Sequence, residues 1–239
     1  MRILVLTTSY PLFPESVSGI FVKRLLLSLP DEAQCRVLTP YDSRVAAIYS
    51  DQKSIQISTF RYAPGFLSNL AHQPGGIPVA LKQNRFLYLV VPFFLLAMLS
   101  ATLRHARDAD VIHANWAISG AIAGFVGWIS GIPVITTLRG SDVPQDRAKS
   151  LSGWLLLKTL ALSTRVVTVS EAFEKKMKQE FPRFADKIMM IENGVGDEFL
   201  SLAAMRAVPT KVINLLTIGS LISRKGMSHI LEALAGLSE

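Results

Sequence analysis

Cysteine is almost absent from this chain, which has 239 residues and a single cysteine, Cys35. One cysteine excludes any intramolecular disulfide, and its scarcity favours a reducing compartment such as the cytoplasm. The N-terminus, MRILVLTTSYP, also lacks the apolar stretch of a signal peptide, because its apolar run turns polar after a few residues. We therefore expect this segment to form a buried first strand of a cytoplasmic protein.

Charged and aromatic residues are also scarce, at 18% and 8% of the chain, whereas 50% of the residues are hydrophobic. This composition excludes a disordered chain and is sufficient for a sizeable core. The net charge of +7 and the pI near 9.7 favour an acidic partner: nucleic acid, an anionic membrane surface or a phosphorylated small molecule. We do not expect nucleic acid, because the chain contains no Lys/Arg tract.

Short apolar runs recur along the chain, and helical periodicity separates most of them. Near the N-terminus, for example, Phe21, Val22, Leu25, Leu26 and Leu29 mark one face of a helix. Strands that alternate with helices predict βαβ units in an α/β parallel sheet, with ligands at the carboxyl ends of the strands. The predicted strands cover residues 3–7, 35–38, 55–58, 111–113, 134–138, 166–169, 188–191 and 213–218.

Two segments are expected to lack regular structure. Residues 61–85 contain three prolines and three glycines, which predicts a long irregular connection, and such loops are often functional. Residues 200–211 are the best candidate for a linker.

Charge is absent from residues 86–103, FLYLVVPFFLLAMLSATL. This stretch meets the lower length limit of a membrane span. It also fits a buried helix over a parallel sheet, or a monotopic helix at a lipid surface with Lys82, Arg85, Arg104 and Arg107 at its ends. A span is disfavoured, because it would separate the first strands from the rest of the sheet.

A second uncharged stretch, residues 111–138, has glycines at GxxxG spacing, Gly120/Gly124 and Gly127/Gly131. In a membrane, this spacing would indicate helix pairing. Because Gly131 and Pro133 interrupt the run and a strand follows, we expect close packing of a helix on the sheet instead.

The segments that follow the strands form an ordered series, and none contains the G-x-G-x-x-G of NAD-dependent Rossmann enzymes. This series resembles the GT-B glycosyltransferases of family 4, which are retaining enzymes with nucleotide-sugar donors, over nearly the whole chain. The segments are SYPLFPESVSGIFVKRLL, DVIHANWAISG, PVITTLRGSDV, VVTVSEAF, IENGVGDEF and IGSLISRKGMSHILEAL.

The resemblance implies two Rossmann-like domains that face a cleft, with helices on both faces of each sheet. Residues 1–205 would form the acceptor-side domain, and residues 206–239 a linker and the first β-α unit of an incomplete donor-binding domain. The implied activity transfers a hexose with retention from a nucleotide diphosphate sugar to a glycan or lipid-linked acceptor, without a cofactor or metal. The chain ends before the family's E-x7-E motif could occur, which indicates a fragment. The alternative is a non-catalytic domain that binds a membrane surface or a glycan.

The resemblance also implies site residues in the first half of the chain. Ser18 and Gly19 stand where similar enzymes often have a glycine pair near the donor phosphates, although Gly19 also fits a plain helix start. His113 and Asn115 stand where many relatives have His-x-His near the reaction centre. Asn115 can form a hydrogen bond with a hydroxyl but cannot take up or release a proton at neutral pH, and His113 also fits a core histidine.

Further implied site residues follow the fifth and sixth strands. Arg139 and Asp142 occupy a segment that is often His-Gly-Ser-Asp in relatives. Arginine suits a phosphate or carboxylate, although Arg139 could also pair with Asp142. Ser170 has the sequence context of a helix N-cap.

The remaining implied residues contact the donor. Asn193 and Gly194 form a turn that lies near the domain junction in the family. Gly219, Arg224 and Lys225 stand in the loop whose cations hold the donor diphosphate, and such cations can stabilise a leaving diphosphate without a metal.

Overall fold

The computed structural model of the chain describes residues 1–13, 16–42, 55–68, 70–72, 76–140, 150–203, 215–219 and 225–236. Contacts between Cα atoms divide the chain into two compact units, Met1–Gly194 and Val195–Glu239. The domain boundary near residue 205 stays a prediction.

A parallel sheet of seven strands forms the centre of the first unit. The strands are β1 (Arg2–Leu6), β2 (Gln34–Pro40), β3 (Ile55–Phe60), β4 (Val111–Asn115), β5 (Val134–Leu138), β6 (Arg165–Thr168) and β7 (Ile188–Met190). Their order is β3-β2-β1-β4-β5-β6-β7, and every neighbouring pair is parallel. The predicted α/β Rossmann-like sheet is confirmed, and its order reverses between β1 and β4.

Helices cover both faces of this sheet. The α-helices of the first unit are α1 (Ile20–Leu27), α2 (Gly76–Gln83), α3 (Val91–Ala106), α4 (Ala117–Ser130), α5 (Leu151–Leu162) and α6 (Glu171–Glu180), whereas α7 (Asp197–Ala203) and α8 (Met227–Ala235) belong to the second unit. Short 3₁₀ helices occupy Gly65–Leu67, Arg85–Leu89 and Pro182–Lys187. Ser170 is the N-cap of α6, as predicted, because its Oγ accepts a hydrogen bond of 3.3 Å from Phe173 N.

Alternate residues of the strands build the core on the two faces. Val5 of β1 packs in one cluster with Val22 and Leu26 of α1. Its neighbour Leu4 points to the opposite face, where the cluster contains Phe94 of α3. This alternation follows from the period of two along a strand, and it places α1 and α3 on opposite sides of the sheet.

The uncharged stretch after Arg85 forms the last 3₁₀ turn before α3 and most of α3 itself. Phe94 and Met98 are fully buried against the sheet, which confirms that one side of this helix covers the core. Within the described ranges, no helix has both the length and the apolar character to cross a membrane. The opposite side of α3 remains exposed.

The glycines inside α4 allow close packing, as predicted, but a Cβ at Gly131, the C-cap of α4, would meet no atom within 4 Å. A Cβ at Gly120 would lie 2.6 Å from Thr136 Cγ2 of β5 and 2.5 Å from Thr159 Cγ2 of α5. A Cβ at Gly124 would lie 2.6 Å from Leu162 Cβ. Real Cβ atoms do not approach other atoms so closely, so only glycine permits this contact.

Three sequence predictions require correction. Residues 61–85 are not wholly irregular, because they contain α2, whose Pro78 lies in the first turn, where no backbone donor is needed. The start of the predicted 200–211 linker belongs to α7. Residues 215–218, the described part of the last predicted strand, are not a strand. A strand needs a hydrogen-bonded neighbour, and the described residues of the second unit contain no strand.

Candidate functional site

The candidate site lies at the carboxyl edge of the sheet, next to the reversal of strand order between β1 and β4. His113 and Asn115 of β4 are two residues apart and therefore point to the same face. His113 pairs in register with Val5, whose side chain packs with α1, so this is the face that α1 covers. In parallel α/β sheets, such a reversal is where ligands bind.

Arg139 is the centre of this site and brings together the ends of four chain segments. Its Nη2 donates a hydrogen bond of 3.2 Å to Asn115 Oδ1, and its Nη1 donates one of 2.7 Å to Asn193 Oδ1. The guanidinium carbon lies 3.6 Å from the centre of the Phe21 ring, a cation–π geometry. The structure thus joins three residues that the sequence analysis selected, Asn115, Arg139 and Asn193.

His113 forms a partly buried hydrogen bond beside this cluster. Its Nε2 lies 2.9 Å from Thr137 Oγ1 of the neighbouring strand. Burial, and then the charge of Arg139, lower the pKa of His113 from 6.5 to about 4. Both causes disfavour the imidazolium, so His113 is neutral at pH 7 and serves as a hydrogen-bonding residue there.

The side-chain amide of Asn115 has one buried group that forms no hydrogen bond with the described residues. Its side chain is fully buried, and its Oδ1 accepts from Arg139. Within the described residues, its Nδ2 has no hydrogen-bond partner. A buried donor without a partner is costly, and such a group at the ligand-binding edge of a sheet is suited to a hydroxyl or phosphate oxygen of a substrate.

The backbone after β4 turns sharply at Trp116, which has a φ of 68° and a ψ of 158°. Few non-glycine residues adopt such a conformation. Two contacts hold this conformation. Trp116 N donates a hydrogen bond of 2.9 Å to Thr137 O, and the Trp116 ring packs edge-on against Phe21, with ring centres 5.6 Å apart. Trp116 therefore supports the same ring on which Arg139 stacks.

The loop before α1 packs closely against Ser9, in the segment that follows β1. Gly19 is the N-cap of α1 with a φ of 70°, and a Cβ there would overlap the carbonyl oxygen of Ser9. Ser18 Oγ hydrogen-bonds to Ser9 Oγ. The glycine is therefore required by close approach to Ser9, and contact of Ser18 and Gly19 with a donor phosphate stays a prediction.

The remaining candidate residues lie at the end of the first unit, in the second unit or outside the described residues. Gly194 lies at the end of the first unit, after Asn193. Gly219 and Lys225 belong to the second unit, where Lys225 precedes the start of α8 and is exposed. Asp142 and Arg224 lie outside the described residues.

Sequence inspection missed Phe21, Trp116 and Thr137. Phe21 was assigned to a helix face and given no role at the site. Thr137 could have been found from register, because it lies beside Asn115 in the β4–β5 pair. The strain at Trp116 leaves no sequence signal. Among the described residues, no group of three or more His, Cys, Asp or Glu could hold a metal ion.

The comparisons with solved structures give the class of fold. HepE from Anabaena in complex with UDP matches with a TM-score of 0.50 and 19% identity, over 82% of this chain and 44% of that one. Sucrose-phosphate synthase from Thermosynechococcus elongatus matches with a TM-score of 0.53 and 15% identity, over 86% of this chain and 52% of that one. A search of curated protein sequences found no significant match. The sheet and its helices have the GT-B, Rossmann-like fold.

The sequence comparison then gives the family. The profile of Glycosyltransferase Family 4 matches residues 21–199, which is more than half of the chain. The chain therefore belongs to Glycosyltransferase Family 4. It spans about half the length of HepE and of the intact sucrose-phosphate synthase to which it is similar.

Proposed function

We propose that this chain is the acceptor-side domain, with the start of the donor domain, of a retaining hexosyltransferase. The enzyme would move a hexose from a nucleotide diphosphate sugar to a glycan or a lipid-linked acceptor in polysaccharide assembly. The observation that carries this proposal is the Arg139 cluster at the carboxyl edge of the sheet, in a chain that belongs to a glycosyltransferase family.

The cluster has the chemistry that such a reaction requires. Arg139 offers a fixed positive charge, since arginine remains protonated at any physiological pH. Phe21 and two asparagine oxygens hold its guanidinium, so little reorganisation is needed when charge develops on a substrate. Asn115 Nδ2 supplies a further donor for a sugar hydroxyl or a phosphate oxygen.

A nucleotide sugar is the proposed donor. HepE, one of the similar structures, was solved in complex with UDP and glucose, with a TM-score of 0.51 and 18% identity to this chain. Lys225, Arg224 and Gly219 are proposed to hold the diphosphate, and Asp142 to act beside Arg139. A cationic loop of this kind would stabilise the leaving diphosphate without a metal.

The proposed location is the cytoplasm, with peripheral contact to the inner face of the cell membrane. The single, buried cysteine agrees with a reducing compartment. A lipid-linked acceptor would be presented at that face.

A transfer assay with UDP- and GDP-sugars tests the proposal. Arg139→Gln should reduce transfer by about 100-fold, the effect of removing one preorganised donor from a reaction centre. Arg165→Gln is the matched control, because Arg165 is exposed and, among the described residues, donates a hydrogen bond only to the carbonyl of Thr164. If the reading frame continues past Glu239, transfer by the longer form but not by this chain supports its assignment as a fragment. No transfer by the longer form with any donor would contradict the enzymatic proposal.

A non-catalytic domain that binds a glycan or a membrane surface is the second candidate. It is favoured by the weak basicity of β4, since the pKa of His113 is lowered to about 4 and Asn115 does not titrate. Calorimetric binding of an acceptor glycan, together with no transfer of any sugar, would support this candidate over the enzyme.

A further inference from the structure

Helix α3 has two apolar sides, of which the sheet covers only one. Phe94 and Met98 are buried in the core. On the other side, four large apolar residues of the preceding 3₁₀ helix and of α3 are mostly in solvent. This apolar stripe consists of Phe86, Leu89, Phe93 and Leu96, with exposed fractions of 78%, 71%, 63% and 63%.

The spacing of the stripe is that of a continuous helical surface. Its members follow one another at intervals of three, four and three residues, which places them on one side of the helix. At the same spacing, the line continues through Ser100 to Arg104 and Arg107, all exposed. The exposed side of α3 thus changes from apolar to cationic along its length.

The charge around the stripe has one sign. Residues 52–107 contain six Lys and Arg and no Asp or Glu. Lys82 and Arg85 precede the stripe and are exposed, and Arg104 and Arg107 follow it. Among the described residues, none of these four cations forms an ion pair. Exposed apolar groups next to unpaired cations are the two features that bind a protein to an anionic lipid surface.

The topology places the stripe at the carboxyl edge of the sheet. Helix α3 ends at Ala106, and β4 starts at Val111, at the amino edge. The stripe lies at the other end of α3 and therefore near the edge that carries Arg139. Because α3 and α1 cover opposite faces, the stripe and the Arg139 cluster share an edge but not a face.

We propose that the apolar stripe inserts into the surface of an anionic phospholipid bilayer, with Lys82 and Arg85 on lipid headgroups. Helix α3 then lies in the plane of the interface, with its inner side still on the sheet. An apolar side of this size on a helix with cationic neighbours suits the boundary between headgroups and acyl chains.

Docking through this stripe would turn the α3-covered face of the sheet towards the membrane and bring the carboxyl edge of the sheet close to the headgroups. This consequence rests on the proposed function: if the enzyme transfers a hexose, its acceptor should be linked to lipid and not be a soluble glycan. Vesicle binding requires no transfer activity, so the docking surface and the proposed reaction can fail independently of each other.

Flotation of the chain with vesicles tests the docking surface. We expect binding to phosphatidylcholine vesicles that contain phosphatidylglycerol, and much weaker binding to phosphatidylcholine alone. Phe93→Gln/Leu96→Gln should weaken binding by at least about tenfold, because two apolar side chains no longer insert. Leu25→Gln is the matched apolar control, since Leu25 is an exposed leucine on α1, on the opposite face of the sheet.

A separate pair of variants tests the contribution of the cations to vesicle binding. Lys82→Gln should weaken binding to anionic vesicles by about fivefold at low salt, and less at high salt. Lys176→Gln removes an exposed cation from α6 and should have little effect. Equal losses in Lys82→Gln and Lys176→Gln would indicate binding through overall charge and would overturn the assignment of this surface.

Fluorescence gives a second measurement that does not depend on removing apolar side chains. Cys35 is buried, so a Cys35→Ser/Leu96→Cys variant takes one environment-sensitive label at the stripe. Its emission should shift to the blue on addition of anionic vesicles, whereas a label at Leu25→Cys should not respond. No binding to anionic vesicles at low salt would overturn the proposal. A concentration-dependent dimer that Leu96→Gln disperses would overturn it in favour of a second copy of the chain.

Discussion

The two edges of the sheet hold arginines in different ways. At the carboxyl edge, Arg139 is partly buried, bonds Asn115 and Asn193, and stacks on Phe21. At the amino edge, Arg2 forms a 3.1 Å ion pair with Asp110, and the two side chains are 55% and 45% exposed. Partial burial fixes the position of one guanidinium, whereas water competes for the other. The difference shows which of the two guanidiniums is held in place by its neighbours.

Two glycines with the same backbone angle give the largest expected contrast between the edges. Gly19 at the carboxyl edge and Gly131 at the amino edge both have a φ of 70°, but a Cβ at Gly19 would lie 2.6 Å from Ser9 C, whereas Gly131 has no neighbour within 4 Å. Gly19→Ala should lower the free energy of unfolding by about 4 kcal/mol, from left-handed strain plus overlap. Gly131→Ala should lower it by about 1–2 kcal/mol, from strain alone. Urea unfolding measures both. Equal losses of unfolding free energy would show that the backbone at Ser9 moves aside at little cost.

The pH dependence of stability should also differ between the edges. His113 titrates near 6.5 when unfolded and at about 4 when folded. Between these values the unfolded chain binds more protons, so stability falls as pH falls from 6.5 to 4. The loss is at most about 3 kcal/mol. His113→Gln should flatten this window, as measured by urea midpoints from pH 4 to 7.

Asp110 should act in a lower pH range than His113. The hydrogen bonds from Arg2 N and from the Arg2 side chain lower the pKa of Asp110 below its ordinary value of 3.8. The stability that they provide is therefore present above pH 3.8 and is lost as pH falls through the folded pKa. Urea unfolding of Asp110→Asn at a series of pH values measures this contribution. A difference from wild type that changes between pH 4 and 6.5, the range of His113, would contradict the separation of the two pH ranges.

Replacement of Arg139 and of Arg2 by methionine should lower the free energy of unfolding by different amounts. Arg139→Met should cost about 2 kcal/mol of unfolding free energy, because it leaves the buried Asn115 Oδ1 without its donor. Arg2→Met should cost far less, since water replaces the exposed partner. The same urea unfolding measures both variants. Equal costs would show that burial does not distinguish the two sites.

The stacking of Arg139 on Phe21 should have the smallest effect. Phe21→Leu should cost about 1 kcal/mol, whereas Phe21→Tyr keeps an aromatic face and should be close to wild type. At the amino edge, Gln56→Ala removes the exposed oxygen that Arg36 contacts at 3.1 Å, and no measurable loss is expected. A similar loss in Phe21→Tyr and Phe21→Leu would indicate that shape, and not the aromatic ring, supports Arg139.

Much of the fold could be predicted from the sequence because strands buried on both faces are continuous apolar runs. Residues 134–138 became β5 with the same bounds, and the glycines of α4 were correctly assigned to close packing. Helix α2 was missed because its proline and glycines suggested a loop. The run at 213–218 has strand-like composition, but composition cannot supply the neighbouring strand that a sheet requires.

The candidate site was predictable only in part. Asn115, Arg139 and Asn193 could be selected because each lies after a predicted strand in a segment that resembles the family, and parallel strands end at one edge. Their hydrogen bonds could not be predicted, nor could the place of Phe21 under the guanidinium, because these residues are far apart in sequence. The low pKa of His113 also depends on burial that no local pattern specifies.

The sequence by itself therefore determined the α/β class, the edge at which the candidate site lies and the one-signed charge around residues 86–103, since these depend on composition and on the period of each element. The tertiary structure alone decided that Arg139 is clamped by Phe21 and two asparagines, and that α3 buries only one of its two apolar sides. The physical reason is that burial and side-chain contact are properties of neighbours in space. A run of apolar residues states how much surface can be buried, but only packing decides which side of the helix meets the sheet and which is left exposed.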